Sequence, residues 1–220
     1  MWDKSVFDML VVGMGETLYM TLVSTLFAYA IGLPLGIVLV MCAKDGIHPC
    51  TWLYKTLDII VNIVRSIPFL ILLIAVMPFT RKVVGTTIGP TATIVPLVLA
   101  SAPFIARLVE SSMVEVDKGV IEAAQSMGAS SGQIIFKVML PEAKPSLIVG
   151  SAIAVTTILS YSAMAGICGG GGLGDIAIRY GYYRYQTNIM MLTLVLLVVV
   201  VQIFQEVGFR AATRGDRRKS

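Results

Sequence analysis

TLYMTLVSTLFAYAIGLPLGIVLVMCA, residues 17–43, runs from Glu16 to Lys44 without a single charged side chain between them. A helix needs about 20 apolar residues to cross the hydrocarbon of a bilayer. This stretch therefore predicts a membrane span and fixes the class of fold. Composition agrees: of 220 residues, 56% are hydrophobic and only 14% charged, where soluble domains carry about a quarter charged residues. Mean hydropathy is +0.84. The length suits one domain covering residues 1–220.

Three further charge-free runs flank this one: Val83 to Ala106, Pro145 to Gly174 and Tyr185 to Gln205. A fifth, Ile59 to Thr80, contains Arg65 near one end, from where its guanidinium reaches headgroups or a polar cavity. The expectation is an all-α integral membrane protein with five spans, over about 17–41, 58–80, 85–107, 146–168 and 186–208. Pro34, Pro68, Pro78, Pro90, Pro96 and Pro103 fall within or beside these spans. Each frees backbone carbonyls that either line a path or are met by a neighbouring helix across a kink.

Five spans put the termini on opposite sides. With the C-terminus in the cytoplasm, Lys44, Lys55, Arg107, Lys118, Lys137, Lys144, Arg210, Arg214, Arg217, Arg218 and Lys219 lie inside, against Lys4, Arg81, Lys82, Arg179 and Arg184 outside. That asymmetry follows the positive-inside rule. The N-terminal WDKSVFDML has acids where a secretory signal needs bases, so the first apolar segment is expected to remain as an anchor. The tail RGDRRKS suits anionic headgroups.

Several apparent motifs dissolve on inspection. GGGGLG, Gly169 to Gly174, has dinucleotide-loop spacing but follows a membrane span instead of a strand, and reads as a flexible external turn. Cys42, Cys50 and Cys168 have no CxxC spacing, and His48 with Cys50 supplies only two ligands, so no metal site is expected. YGYYRY, Tyr180 to Tyr185, is either an interfacial anchor or a ligand-stacking surface. No GxxxxGK[ST] is present, which argues against ATP binding through a P-loop, and no HExxH, GxSxG or acid pair lies inside any span, which argues against an intramembrane hydrolase. Nothing indicates nucleic acid.

The polar connection from Arg107 to Lys144 is different. Asp117 can cap a helix through EAAQ that stops at Gly128, and Ser130 with Gln133 forms a capping box for a second helix that Pro141 interrupts. The pair predicts a protruding knob. Ala123 and Ala124 keep its face small enough for a partner groove, and Glu122 is available to a partner's cation.

The knob resembles the EAA loop of ABC importer permeases, EAA-x3-G-x9-I-x-LP. Here it is Glu122, Ala123, Ala124, then Gly128, then Val138, Met139, Leu140 and Pro141. Valine replaces the usual isoleucine. ETLYMTLVSTLFAYAIGLPLGIVL, RSIPFLILLIAVMPFTRKVVGTTIG, APFIARLVE and SYSAMAGICGGGGLGDIAIRYGYYRY are similar to the methionine-uptake permeases of that family, so the resemblance covers about residues 16–207. It implies an ATP-driven importer of methionine, L or D, in a bacterial inner membrane, with a permease for another small solute or a docking scaffold as the alternatives. It also implies a homodimer of this chain, two cytoplasmic ATPase subunits holding the ATP and magnesium, and an external binding lipoprotein. Residues 117–141, with Glu122, Ala123, Ala124, Gly128, Leu140 and Pro141, would couple to the ATPase. No catalytic residue or bound cofactor is expected on this chain.

For the path, ILSYSAMAG in the fourth span places Ser160, Tyr161, Ser162 and Met164 in an aliphatic run. Ser162, Ala163, Ala165 and Gly166 would let two helices approach closely, bringing Met164 towards its own copy as a gate. Met164 filling a packing gap is the alternative. Arg65, Ser66 and Pro68 complete the expected path.

Overall fold

The computed structural model describes residues 4–215; the C-terminal basic cluster Arg217, Arg218 and Lys219 lies outside the described residues. Helices account for nearly all of the described chain, as the apolar runs require. Four are long and apolar enough to cross a membrane, and a bent pair supplies material for a fifth span.

The first helix, α1 (Lys4–Cys42), begins well before Thr17 and carries Glu16 in its interior. The charge does not end the helix because its carboxylate accepts the Gly172 N–H at 2.7 Å. Next to it, Thr17 Oγ1 accepts the Leu173 N–H at 2.9 Å while donating to Gly13 O. A polar group with a partner is compatible with a span.

The expected helix over 58–80 is three helices: α2 (Thr51–Ser66), α3 (Phe69–Ala75) and α4 (Met77–Val84). α2 and α3 meet at 100°. Pro68 disfavours the helical conformation at the residue before it, and Ile67 is extended at φ −81°, ψ 124°. Gly85, at φ 85°, closes α4 in the left-handed region.

α5 (Pro90–Val114) starts on a proline at its first turn and runs seven residues past Arg107. Here too the charge is paired. Arg107 bonds Asp58 and Asn62 of α2 and Glu110 of its own helix, and Tyr54 donates to Glu110 at 3.3 Å. This cluster fastens α2 to α5.

α5 and α1 form the centre of the fold, running in the same direction. A Cβ at Gly32 would lie 2.6 Å from Ala102 O and one at Gly36 2.6 Å from Ala106 O, so the small-xxx-small pattern of both helices lets the backbones touch. Ile105, Val109, Met113 and Ile158 fill the core around this seam.

After α5 come α6 (Lys118–Ser126), α7 (Ser131–Gln133), a π-helical turn (Ile134–Met139) and α8 (Leu140–Glu142). α9 (Lys144–Ala165) crosses back and ends in a 3₁₀ turn, Gly166–Cys168. The short α10 (Gly172–Ile176) and a second π-helical turn (Ala177–Tyr182) lead to α11 (Thr187–Gly215). α11 packs on α9 where a Cβ at Gly208 would meet Ala152 Cβ at 2.3 Å. Its other side presents Met191, Leu194, Val195, Val198 and Ile203 outward, a lipid-facing stripe.

The helix ends are not flush. Glu16 lies beside the Gly169–Gly174 turn and Pro90, while Val6, Met9 and Leu10 pack beside Ile189 and Leu192. At about 1.5 Å per residue, the part of α1 ahead of Glu16 reaches about 18 Å beyond the turn. The turn itself packs against α1, α5 and α9, and is not the flexible loop its composition suggests. Gly169, Gly171 and Gly172 have φ of 76°, 82° and 76°, and Gly170, Gly172 and Gly174 are buried.

Candidate functional site

Two regions bear on function: the polar segment following α5, and the junction of α2, α3 and α9.

In the polar segment, local chemistry builds what the residues predict. Asp117 accepts the Gly119 N–H at 2.6 Å and caps α6. α6 ends at Gly128, with φ 78°, where Gly128 N–H donates to Gln125 O and Ala129 N–H to Ala124 O. The capping box is complete: Ser130 N–H donates to Gln133 Oε1 at 2.9 Å, and Gln133 N–H to Ser130 Oγ at 3.4 Å.

Two details differ from expectation. Ala123 and Ala124 do not share an exposed face, since successive helical residues point about 100° apart. Ala123 is exposed, whereas Ala124 is buried at 4% and joins the core with Ile134, Ile135 and Met139. Pro141 does not interrupt the second helix. The π-helical turn before it uses i→i−5 bonds, Leu140 N–H donating to Ile135 O, and the widened turn absorbs the proline. Leu140 is half-buried and Pro141 exposed. On the second half of α6 and its end, Glu122, Ala123, Gln125, Ser126, Met127 and Gly128 are left to solvent, with Met127 82% exposed.

At the second region, Arg65 and Ser66 end α2 and are exposed, with the Arg65 guanidinium 5.9 Å from the Phe104 ring centre. Pro68 makes the elbow. Immediately beyond it, Phe69 stacks on Tyr161 of α9, with ring centres 4.6 Å apart and planes 1° from parallel. The elbow and α9 are thus joined by a flat aromatic contact.

Ser160 and Met164, four residues apart, share an exposed face of α9. Ser162 is on the other side, 1% exposed, its hydroxyl donating to Leu159 O. It does not stand with Met164. The small residues beside it are spent within the chain: a Cβ at Gly174 would lie 2.2 Å from Ala163 O, and one at Gly166 2.4 Å from Asp175 N. They admit α10 against α9 within one chain.

In the tyrosine segment, Tyr182, Tyr183 and Tyr185 are exposed. Arg184 lies over the Tyr180 ring at 4.6 Å, Tyr182 and Tyr183 meet edge to face, and Tyr185 takes φ 55°. The Arg107 cluster escaped sequence reading, because nothing local links Asp58 to a residue 49 positions away.

Comparison with known proteins gives a consistent result. The chain is 49% identical over 211 residues to the probable D-methionine transport system permease protein MetI of Vibrio cholerae, covering 96% of this chain and 94% of that protein. It is 51% identical over 158 residues to the D-methionine transport system permease protein MetI of Escherichia coli, covering 72% and 73% respectively. Among solved structures, the permease chain in the inward-facing MetNI methionine ABC transporter superposes with a TM-score of 0.96 at 47% identity, covering 98% of this chain and all of that one. Residues 32–212 match a single family over most of the chain's length. The chain belongs to the family of binding-protein-dependent transport system inner membrane components.

Proposed function

We propose that this chain is the membrane subunit of an ATP-driven importer that brings methionine into the cytoplasm. The observation that carries the reading is its close match, along nearly the whole chain, to methionine permeases. In this reading two copies enclose the path, each carries an ATPase on the α6 face, and an external binding protein delivers the substrate. ATP and magnesium belong to the ATPase. The asymmetry of lysine and arginine supports placing α6 in the cytoplasm and the start of α1 outside.

The geometry suits such a division of labour. α6 offers a small, mostly exposed docking face in Glu122, Ala123, Met127 and Gly128. It is linked through α7 and α8 to α9, which carries Tyr161, Ser160 and Met164, and preceded by α5, which carries Phe104 beneath Arg65. Displacement of α6 by the ATPase therefore shifts the elbow at Pro68 through the Phe69–Tyr161 stack. Met164, 42% exposed and flexible, serves as a movable seal against the second copy. Met164→Cys is expected to cross-link between copies in one nucleotide state only.

The substrate assignment is tested in lipid vesicles holding the chain with its ATPase and binding protein. ATP-dependent accumulation of labelled methionine, competed by unlabelled L- or D-methionine, is expected. No ATP-dependent accumulation of methionine by the intact complex would remove it as the substrate, and equal competition by unrelated amino acids would remove its selectivity.

A further inference from the structure

Residues 43–50, between α1 and α2, form a well-ordered strap. Gly46 N–H donates to Ala43 O, His48 N–H to Met41 O and Cys50 N–H to Cys42 O, at 2.9 to 3.1 Å. Ile47 packs into the main core. A Cβ at Gly46 would lie 2.3 Å from Met41 O, so the fold-back is shaped tightly against the end of α1.

From this strap two side chains reach the polar segment at separate places. Asp45 accepts a bond from Lys118, the first residue of α6, at 3.3 Å. His48 Nε2 lies 2.6 Å from Ser131 Oγ, at the first residue of α7. Strap and α6 otherwise face one another across a cavity of about 530 Å3, lined by Lys44, Asp45 and Ile47 on one side and Ile121, Glu122 and Gln125 on the other. The two polar links thus hold the segment at its corners. They are unequal. Lys118 and Asp45 are each 74% exposed, and such pairs are weakened by solvent and salt. The His48–Ser131 bond is the shorter of the two, is also exposed, and uses the chain's single histidine.

α6 is continuous in sequence with α5 on one side and, through α7 and α8, with α9 on the other, but not with α1. Yet α1 packs more extensively on α5 than on any other helix. We infer that the 43–50 strap is a second mechanical link from the coupling segment to the membrane core, with His48 and Ser131 as positioning residues that make α1 and α2 move with α6. The inference rests on the proposed coupling role of α6. It implies that weakening the strap leaves ATP hydrolysis running while less of it becomes transport.

The test uses the full complex in lipid vesicles, comparing His48→Ala, Ser131→Ala, the double variant and the hydroxyl-preserving Ser131→Thr. Methionine taken up per ATP hydrolysed is expected to fall about threefold in each alanine variant, the scale of one hydrogen bond. The double variant should fall no further, and Ser131→Thr should match wild type. Unchanged coupling in both single variants with intact complexes, or effects that simply multiply in the double, would overturn the inference. A readout independent of substrate is amide hydrogen exchange across residues 43–50. Exchange should slow when the ATPase docks, and this response should be lost in His48→Ala; no response in wild type also overturns it. Absence of methionine uptake by the wild-type complex would sink the functional reading instead, while the exchange measurement still decides the strap.

Discussion

The segment from Asp117 to Glu142 and the turn from Gly169 to Gly174 both depend on glycine, and for opposite reasons. Gly128 ends α6 at φ 78° with nothing within 4 Å of where a Cβ would stand. Its role is conformational, and the space around it is free for a partner. Gly174 is in ordinary helix, but a Cβ there would lie 2.2 Å from Ala163 O and 2.6 Å from Ala163 Cα. Its role is to let two pieces of backbone touch. One region is organised by bonds within a few residues and faces outward. The other is organised by contacts such as Glu16 to Gly172, 156 residues apart, and faces inward.

The largest expected effect follows from the inward region. Gly174→Ala drives a methyl group into backbone that cannot step aside, at a cost of about 3 kcal/mol or more. The purified chain should lose most of its thermal stability, whereas Gly128→Ala should cost only about 1 kcal/mol, from left-handed strain alone. Equal melting temperatures for the two variants would erase the contrast. Next in size is Arg107→Ala, which leaves Asp58 and Glu110 facing each other's helices without their cation. About 2 kcal/mol is expected, since the group is only partly buried. Denaturant unfolding in detergent measures it, and Arg107→Lys should recover only part, having no fork to reach both acids. The smallest is Asp117→Ala. Loss of one helix cap costs about 1 kcal/mol, and faster amide exchange should be confined to the first turn of α6.

The same contrast explains what was legible in the sequence. The caps at Asp117 and Ser130 and the stop at Gly128 could be read because donor and acceptor lie within a few positions of each other. The apolar runs gave the class of fold for the same reason: a span is a local property. Helix ends set by charge were misplaced at Glu16 and Arg107, since each charge has a partner far along the chain. The elbow at Pro68 was marked by its proline, but whether a proline kinks a span or breaks it depends on neighbours. Here Phe69 finds Tyr161 only in three dimensions. At the path, the small residues near Met164 were visible, but not the surface they would meet. Their partner proved to be α10 of the same chain.

The account depends most on α6 being the face through which an ATPase drives the path. Gly128→Asp tests this at the point where the fold is least disturbed, because the site is open and only the left-handed backbone opposes a side chain. In vesicles, the variant should insert in normal amount, retain little or no ATPase on purification, and fail to accumulate methionine. Wild-type accumulation with a full complement of bound ATPase would contradict it.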